Sequence, residues 1–87
     1  MKKGTMYNRT EVVENLKVDY FVVADTGFGI GIRETAENGD IAEDIVYDVF
    51  PTQALAEEFA STLAAHTVLP VSLRDILRDH LVEKLIS

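Results

Sequence analysis

Apolar and polar positions repeat with two different periods along this chain. Up to residue 50 the period is near two, as in a β-strand; from residue 52 it is near 3.6, as in a helix. Residues 5–16, TMYNRTEVVENL, combine β-branched and aromatic residues in imperfect alternation and predict a first strand, with a turn at Asn15-Leu16-Lys17. Residues 18–25, VDYFVVAD, alternate more cleanly: Val18, Tyr20, Val22 and Ala24 share one face, and Asp19, Phe21, Val23 and Asp25 the other. Apolar residues sit mid-strand on both faces, which predicts a central strand. Asp25-Thr26-Gly27 has the chemistry of a tight turn. In residues 28–34, FGIGIRE, Phe28, Ile30 and Ile32 point one way and Gly29, Gly31 and Arg33 the other. Glu37-Asn38-Gly39-Asp40 contains Asn-Gly, the strongest short hairpin signal. Residues 41–50, IAEDIVYDVF, return as a fourth strand. Ile41, Ile45, Tyr47 and Val49 can line one face, interrupted by Glu43, while Asp44 and Asp48 stand on the opposite one.

Pro51 stops that strand because it has no N–H for a ladder. Thr52 can cap a helix over residues 52–66, in which Leu55, Phe59, Leu63 and His66 recur at helical spacing. Ala54, Ala56, Ala60, Ala64 and Ala65 form a small-residue surface beside them that lets the helix lie close to its neighbour. The segment before Pro70 ends this helix, since a residue preceding proline disfavours the α region. A second helix, 72–86, starts with Ser72 as N-cap and Asp75 three residues on, a variant of the capping box. Val71 and Ile76 are spaced for a hydrophobic staple. Leu73, Ile76, Leu77, Leu81 and Leu85 make its apolar stripe; Arg74, Asp75, Arg78, Asp79 and Glu83 make its wet side. The fold expected is α+β: a three- or four-stranded antiparallel meander followed by two C-terminal helices packed on one face, in a single domain over residues 1–87. Phe21 and Val23 would be exposed on the other face unless covered, so a homodimer burying that face is expected.

Composition narrows the function. Cysteine is absent, so disulfides and thiolate metal sites are excluded. The apolar fraction of 47% belongs to a folded domain rather than a disordered one. Met1-Lys2-Lys3 is not followed by an apolar signal-peptide core, and no stretch approaches the ~20 apolar residues of a membrane span, so a cytoplasmic protein is expected. The net charge of −7 is unevenly placed. Between residues 34 and 73 there is no Lys or Arg, while Glu34, Glu37, Asp40, Glu43, Asp44, Asp48, Glu57 and Glu58 all fall there. Direct binding to a phosphate backbone, which needs clustered cations, is excluded by this pattern.

Catalytic signatures fail their context tests. Gly27-Phe28-Gly29-Ile30-Gly31 lies in a strand followed by another strand, without the helix N-terminus or lysine of a phosphate loop. Its structural reading is a flat strip at Gly29 and Gly31 that another backbone, a helix of this chain or a second subunit, can approach closely. His66 at a helix C-terminus suits the macrodipole, and His80 with Glu83 falls short of the three or four ligands of a metal site. Ser61 and Ser72 lie outside any G-x-S-x-G turn. Glu43 and Asp44 point to opposite sheet faces and build no acid–base dyad. No catalytic residue, cofactor or metal is expected. The candidate interaction surface is Gly29, Gly31, Glu43, Asp44, Asp48, Glu57 and Glu58. Its acids either solubilise the chain or dock a basic partner; Asp44 and Asp48 would lie about 13 Å apart on a regular strand.

One combination of residues resembles a known family. Phe28-Gly29-Ile30 on a strand, followed by Val68, Pro70, Leu73 and Asp75 at the helix junction, is similar to a family of short Firmicutes proteins catalogued as a domain of unknown function. The resemblance spans residues 18–82 and implies a bacterial, cytoplasmic source, with no activity or cofactor attached. The function expected is a small acidic, non-enzymatic protein-interaction module that self-associates. The alternative is a phage-type or mobile-element inhibitor acting by nucleic-acid mimicry.

Overall fold

The period-two half folds into β1 (Thr5–Val13), β2 (Leu16–Ala24), β3 (Phe28–Thr35) and β4 (Ile41–Phe50), and the helical half into α1 (Gln53–Ala65) and α2 (Leu73–Ile86). The computed structural model describes the backbone of residues 5–86 and the side chains of residues 8–80. The strands pair antiparallel in the order β1-β2-β3-β4, the expected meander with all four strands, and both helices pack on one face.

The first turn is tighter than the sequence predicts. Val13 pairs with Leu16, so only Glu14 and Asn15 connect the strands, and Leu16 and Lys17 already belong to β2. Glu14 takes φ 56°, the left-handed conformation that two-residue hairpins demand, with no glycine to announce it. The Asn38-Gly39 signal does mark a hairpin. It is a longer one, residues 36–40 between paired Thr35 and Ile41, with Gly39 at φ 95°.

Val18, Tyr20, Val22, Ile30 and Ile32 are fully buried and form the sheet's half of the core. Ala56, Phe59, Ala60, Leu63 and Ala64 of α1, with Leu73 and Leu77 of α2, form the other half. Ala56, Ala60 and Ala64 make one i, i+4 row, which brings α1 down onto the sheet, whereas Ala54 and Ala65 face solvent. The Tyr20 hydroxyl donates to the Val68 carbonyl oxygen at 2.9 Å, tying the interhelical segment to the sheet.

Thr52 caps α1 as expected, its Oγ1 accepting from the Leu55 N–H at 3.3 Å. The far end stops before Pro70 has any say. Thr67 adopts φ 51°, its N–H donates to Ala64 O, and the Val68 N–H donates to Leu63 O, which is a Schellman motif with threonine where glycine usually stands. The start of α2 also differs. Pro70–Ser72 form one 3-10 turn, with the Ser72 N–H on Leu69 O, and lead straight into the helix. Val71 is 86% exposed and makes no staple with Ile76, and the Asp75 carboxylate accepts from Arg78. Leu73, Ile76 and Leu77 face the core as predicted. Leu81, Glu83 and Leu85 lie outside the residues whose side chains are described.

Candidate interaction site

The sheet face turned away from the helices carries the glycine strip. Register places Phe21 opposite Gly31 and Val23 opposite Gly29. The Phe21 ring lies across Gly31, where a Cβ would fall inside the ring's contact distance, with Cδ2 at 3.0 Å. The Arg33 guanidinium sits 5.6 Å from the centre of that ring and pairs with Glu43 at 2.6 Å. Phe21 and Val23 are therefore only 7% and 9% exposed. They need no second subunit to cover them, because the chain fills its own glycine gap with an aromatic from the adjacent strand. Gly29 serves a different neighbour. A Cβ there would collide with the Val46 carbonyl and lie 2.9 Å from Tyr47 Cα, so the close approach expected at this glycine is made by β4's own backbone.

That approach belongs to a bulge. Ile30 pairs with Val46 but Phe28 pairs with Phe50, so β4 uses extra residues to cover the same length of β3. Asp48 sits in the bulge at φ 55°. Its Oδ1 accepts from the Gly27 N–H at 2.7 Å and its Oδ2 from the Thr26 hydroxyl at 3.0 Å, closing the β2–β3 turn from the side. The bulge also turns Val49 towards the core, away from the Ile41–Tyr47 face where simple alternation puts it.

The remaining candidate acids are spread over different surfaces. Glu43 and Asp44 do face opposite ways. Asp44 lies on the helix side and accepts two bonds from Arg74, Nε and Nη2, each at 2.9 Å, which raises the guanidinium's pKa above its ordinary value. Glu57 accepts from Gln53 Nε2 at 2.6 Å. Glu58 is exposed on α1.

Glu58 stands at the rim of a feature the sequence did not reveal. A groove of about 730 Å³ opens between α1, α2 and the end of β4. Val49, Phe50, Leu55, Phe59 and Ile76 form its apolar lining, with His80 at one side and Glu58 and Asp79 among its polar groups. The His80 ring lies 4.8 Å from that of Phe59 and 6.1 Å from that of Phe50, and the two phenylalanine rings are 5.4 Å apart. His80 thus works as an aromatic packing residue. Its proposed neighbour Glu83 lies outside the described side chains. Among the described residues, no three His, Asp or Glu side chains converge as metal ligands, and no helix is long and apolar enough to cross a membrane. No local signal foretold the groove, since its walls come from three elements that only tertiary packing brings together.

No curated protein and no solved structure matches the chain. A family model matches residues 2–83, a span that includes the strand and helix-junction residues that carry the resemblance. The chain therefore belongs to the DUF6514 family, a family of unknown function.

Proposed function

We propose that this protein is a non-enzymatic interaction module that docks a short apolar segment of a partner protein, flanked by Lys or Arg, in the groove between α1 and α2. The observation that carries the reading is the groove itself: an open apolar cleft of about 730 Å³ with Glu58 and Asp79 beside it. Apolar clefts with a few placed polar groups are the usual form of a docking site. Carboxylates at the rim favour a cationic partner and set the approach more than the affinity.

Use of the other acids supports binding over catalysis and over nucleic-acid mimicry. Glu43 is held by Arg33, Asp44 by Arg74 and Asp48 by the β2–β3 turn, so they serve the fold. A mimic of a phosphate row needs regularly spaced free charges, and the bulge breaks the spacing between Asp44 and Asp48.

A leucine- and lysine-containing amphipathic peptide, titrated into isotopically labelled protein, tests the reading. Amide shifts should concentrate at Val49, Leu55, Phe59, Ile76 and His80, weaken with salt, and weaken further in Glu58→Lys. Shifts scattered over the sheet, or none at millimolar peptide, would reject the groove as the docking site. Self-association is the second part of the proposal. The covered state of Phe21 and Val23 moves its location from the sheet face to the sheet edge.

A further inference from the structure

The geometry points to β1 as the self-association surface: we infer that two copies pair antiparallel through their β1 edges, centred on Thr10, to make one continuous sheet. This rests on the self-association reading and adds its site and register.

The hydrogen-bonding phase of β1 is set by its turn. Val13 and Leu16 flank a two-residue connection and bond to each other across it. Bonded and non-bonded pairs alternate along an antiparallel ladder, so Glu11 with Val18 and Arg9 with Tyr20 are also bonded pairs. The N–H and C=O groups of Asn8, Thr10 and Val12 therefore aim away from β2. β1 is the outer strand of the sheet, and the side chains of all three residues are exposed, Val12 by 73%. The register shift of β1 lies between Thr5 and Tyr7; from residue 7 to residue 13 the register is continuous and contains no proline, so this stretch of the edge carries neither of those usual blocks to strand addition.

Charge selects the register. Arg9 and Glu11 lie on the same face of β1 and bond each other at 2.6 Å. With Thr10 opposite Thr10 of the second copy, Asn8 faces Val12 and Val12 faces Asn8 in bonded pairs. Arg9 then falls opposite the second copy's Glu11, and Glu11 opposite its Arg9, in the non-bonded pairs where side chains stand closest. Each neighbouring register of the same phase fails: centred on residue 9, Arg9 meets Arg9; centred on residue 11, Glu11 meets Glu11. A short self-complementary strand of this kind buries less than the ~1,600 Å² of a standard interface, so the dimer is weak and appears as concentration rises.

Sedimentation velocity from micromolar to millimolar protein tests this, on the wild type, Arg9→Glu, Glu11→Arg, the double exchange and Thr10→Pro. Each single charge reversal sets like charges opposite twice in the symmetric pair and should raise the dimer Kd about thirtyfold; the double exchange should return it to within a few-fold of wild type. Thr10→Pro removes an outward N–H without touching the β1–β2 backbone bonds, at the cost of the Thr10 hydroxyl's bond to the Asp19 carboxylate, and should abolish the dimer, with circular dichroism confirming the fold. Amide exchange reads the phase directly: Asn8, Thr10 and Val12 should become protected as concentration rises, and Arg9 and Glu11 should not change. A strict monomer at every concentration overturns both self-association and this interface. A dimer indifferent to Arg9→Glu and Thr10→Pro keeps self-association and overturns the β1 edge. A dimer lost in the single reversals but not restored by the double exchange overturns the Thr10-centred register.

Discussion

Gly29→Ala and Gly31→Ala add the same methyl group to the same face of β3, and the nature of the neighbour decides the cost. At Gly29 the new Cβ would lie 2.9 Å from Tyr47 Cα and closer still to the Val46 carbonyl. Carbon atoms prefer ~3.5–4.0 Å, so the overlap is at least about 0.6 Å. Both neighbours are backbone, fixed by the β3–β4 ladder and by the Asp48 bonds to Thr26 and Gly27. Overpacking costs about 1–3 kcal/mol, and a rigid neighbour puts Gly29→Ala near 3 kcal/mol. At 4–8 °C per kcal/mol for a domain of this size, the melting temperature should fall by roughly 12–24 °C. At Gly31 the obstacle is the Phe21 ring, whose Cε2 and Cζ the new Cβ would overlap outright and whose Cδ2 would be 3.0 Å away, and a ring at the end of a side chain can swing aside. The loss there is part of Phe21's burial, about 1–1.5 kcal/mol. Urea unfolding of the single variants and of both combinations with Phe21→Ala measures the difference. Without the ring, Gly31→Ala should become neutral or stabilising by about 0.5 kcal/mol, since glycine inside a strand is itself unfavourable. Gly29→Ala should remain severe in either background. A Gly29→Ala protein within about 1 kcal/mol of wild type, or a Gly31→Ala cost that Phe21→Ala fails to relieve, would refute the reasoning.

Thr67→Gly should stabilise the protein by about 0.5–1 kcal/mol in thermal unfolding, because a β-branched residue is strained at φ 51° and glycine is not. Asp48→Ala should destabilise by about 1–2 kcal/mol in urea, losing the acceptor for Gly27 and Thr26 and a residue type tolerant of positive φ; Asp48→Gly should recover part of that loss. Burial raises the pKa of Tyr20, Glu11 raises it further, and Arg9 opposes both. The stability it contributes is complete below about pH 10, the unfolded value, and is lost as pH rises through the higher folded value; Tyr20→Phe should flatten this alkaline decline while costing about 1 kcal/mol at neutral pH. Asp44→Asn should lower the urea midpoint slightly at low salt, and the difference should shrink in molar salt, because Arg74 is exposed to screening.

Periodicity made the layers legible. Val18, Tyr20, Val22, Ile30 and Ile32 declared the core face by alternation, and Leu73, Ile76 and Leu77 declared the buried stripe of α2. Features that depend on what sits across from a residue stayed hidden. Phe21 fills the space above Gly31 only because the register makes them partners, and no window along the chain contains that pairing. The bulge at Asp48 is likewise a mismatch between two strands, so alternation within β4 misplaced Val49. Left-handed backbone at Glu14 and Thr67 escaped notice because neither is glycine or asparagine. The same limit governs the candidate site. Glu58 is conspicuous for its charge, but Phe59 and Ile76 read as ordinary apolar helix positions, and only tertiary packing sets them around a cleft.

Both edge strands of this sheet carry a register slip, between Thr5 and Tyr7 in β1 and around Asp48 in β4. A sheet with two plain edges can stack head to tail, the last strand of one molecule on the first strand of the next, and such a contact repeats without closing into a fibre. Here the β4 edge is interrupted at Asp48, where the backbone turns to φ 55° and the ladder slips. A regular strand cannot run along it for its full length. A copy added through β1 would therefore meet an interrupted edge on the far side, which works against head-to-tail growth. The residue that closes the β2–β3 turn thus also interrupts one edge of the sheet.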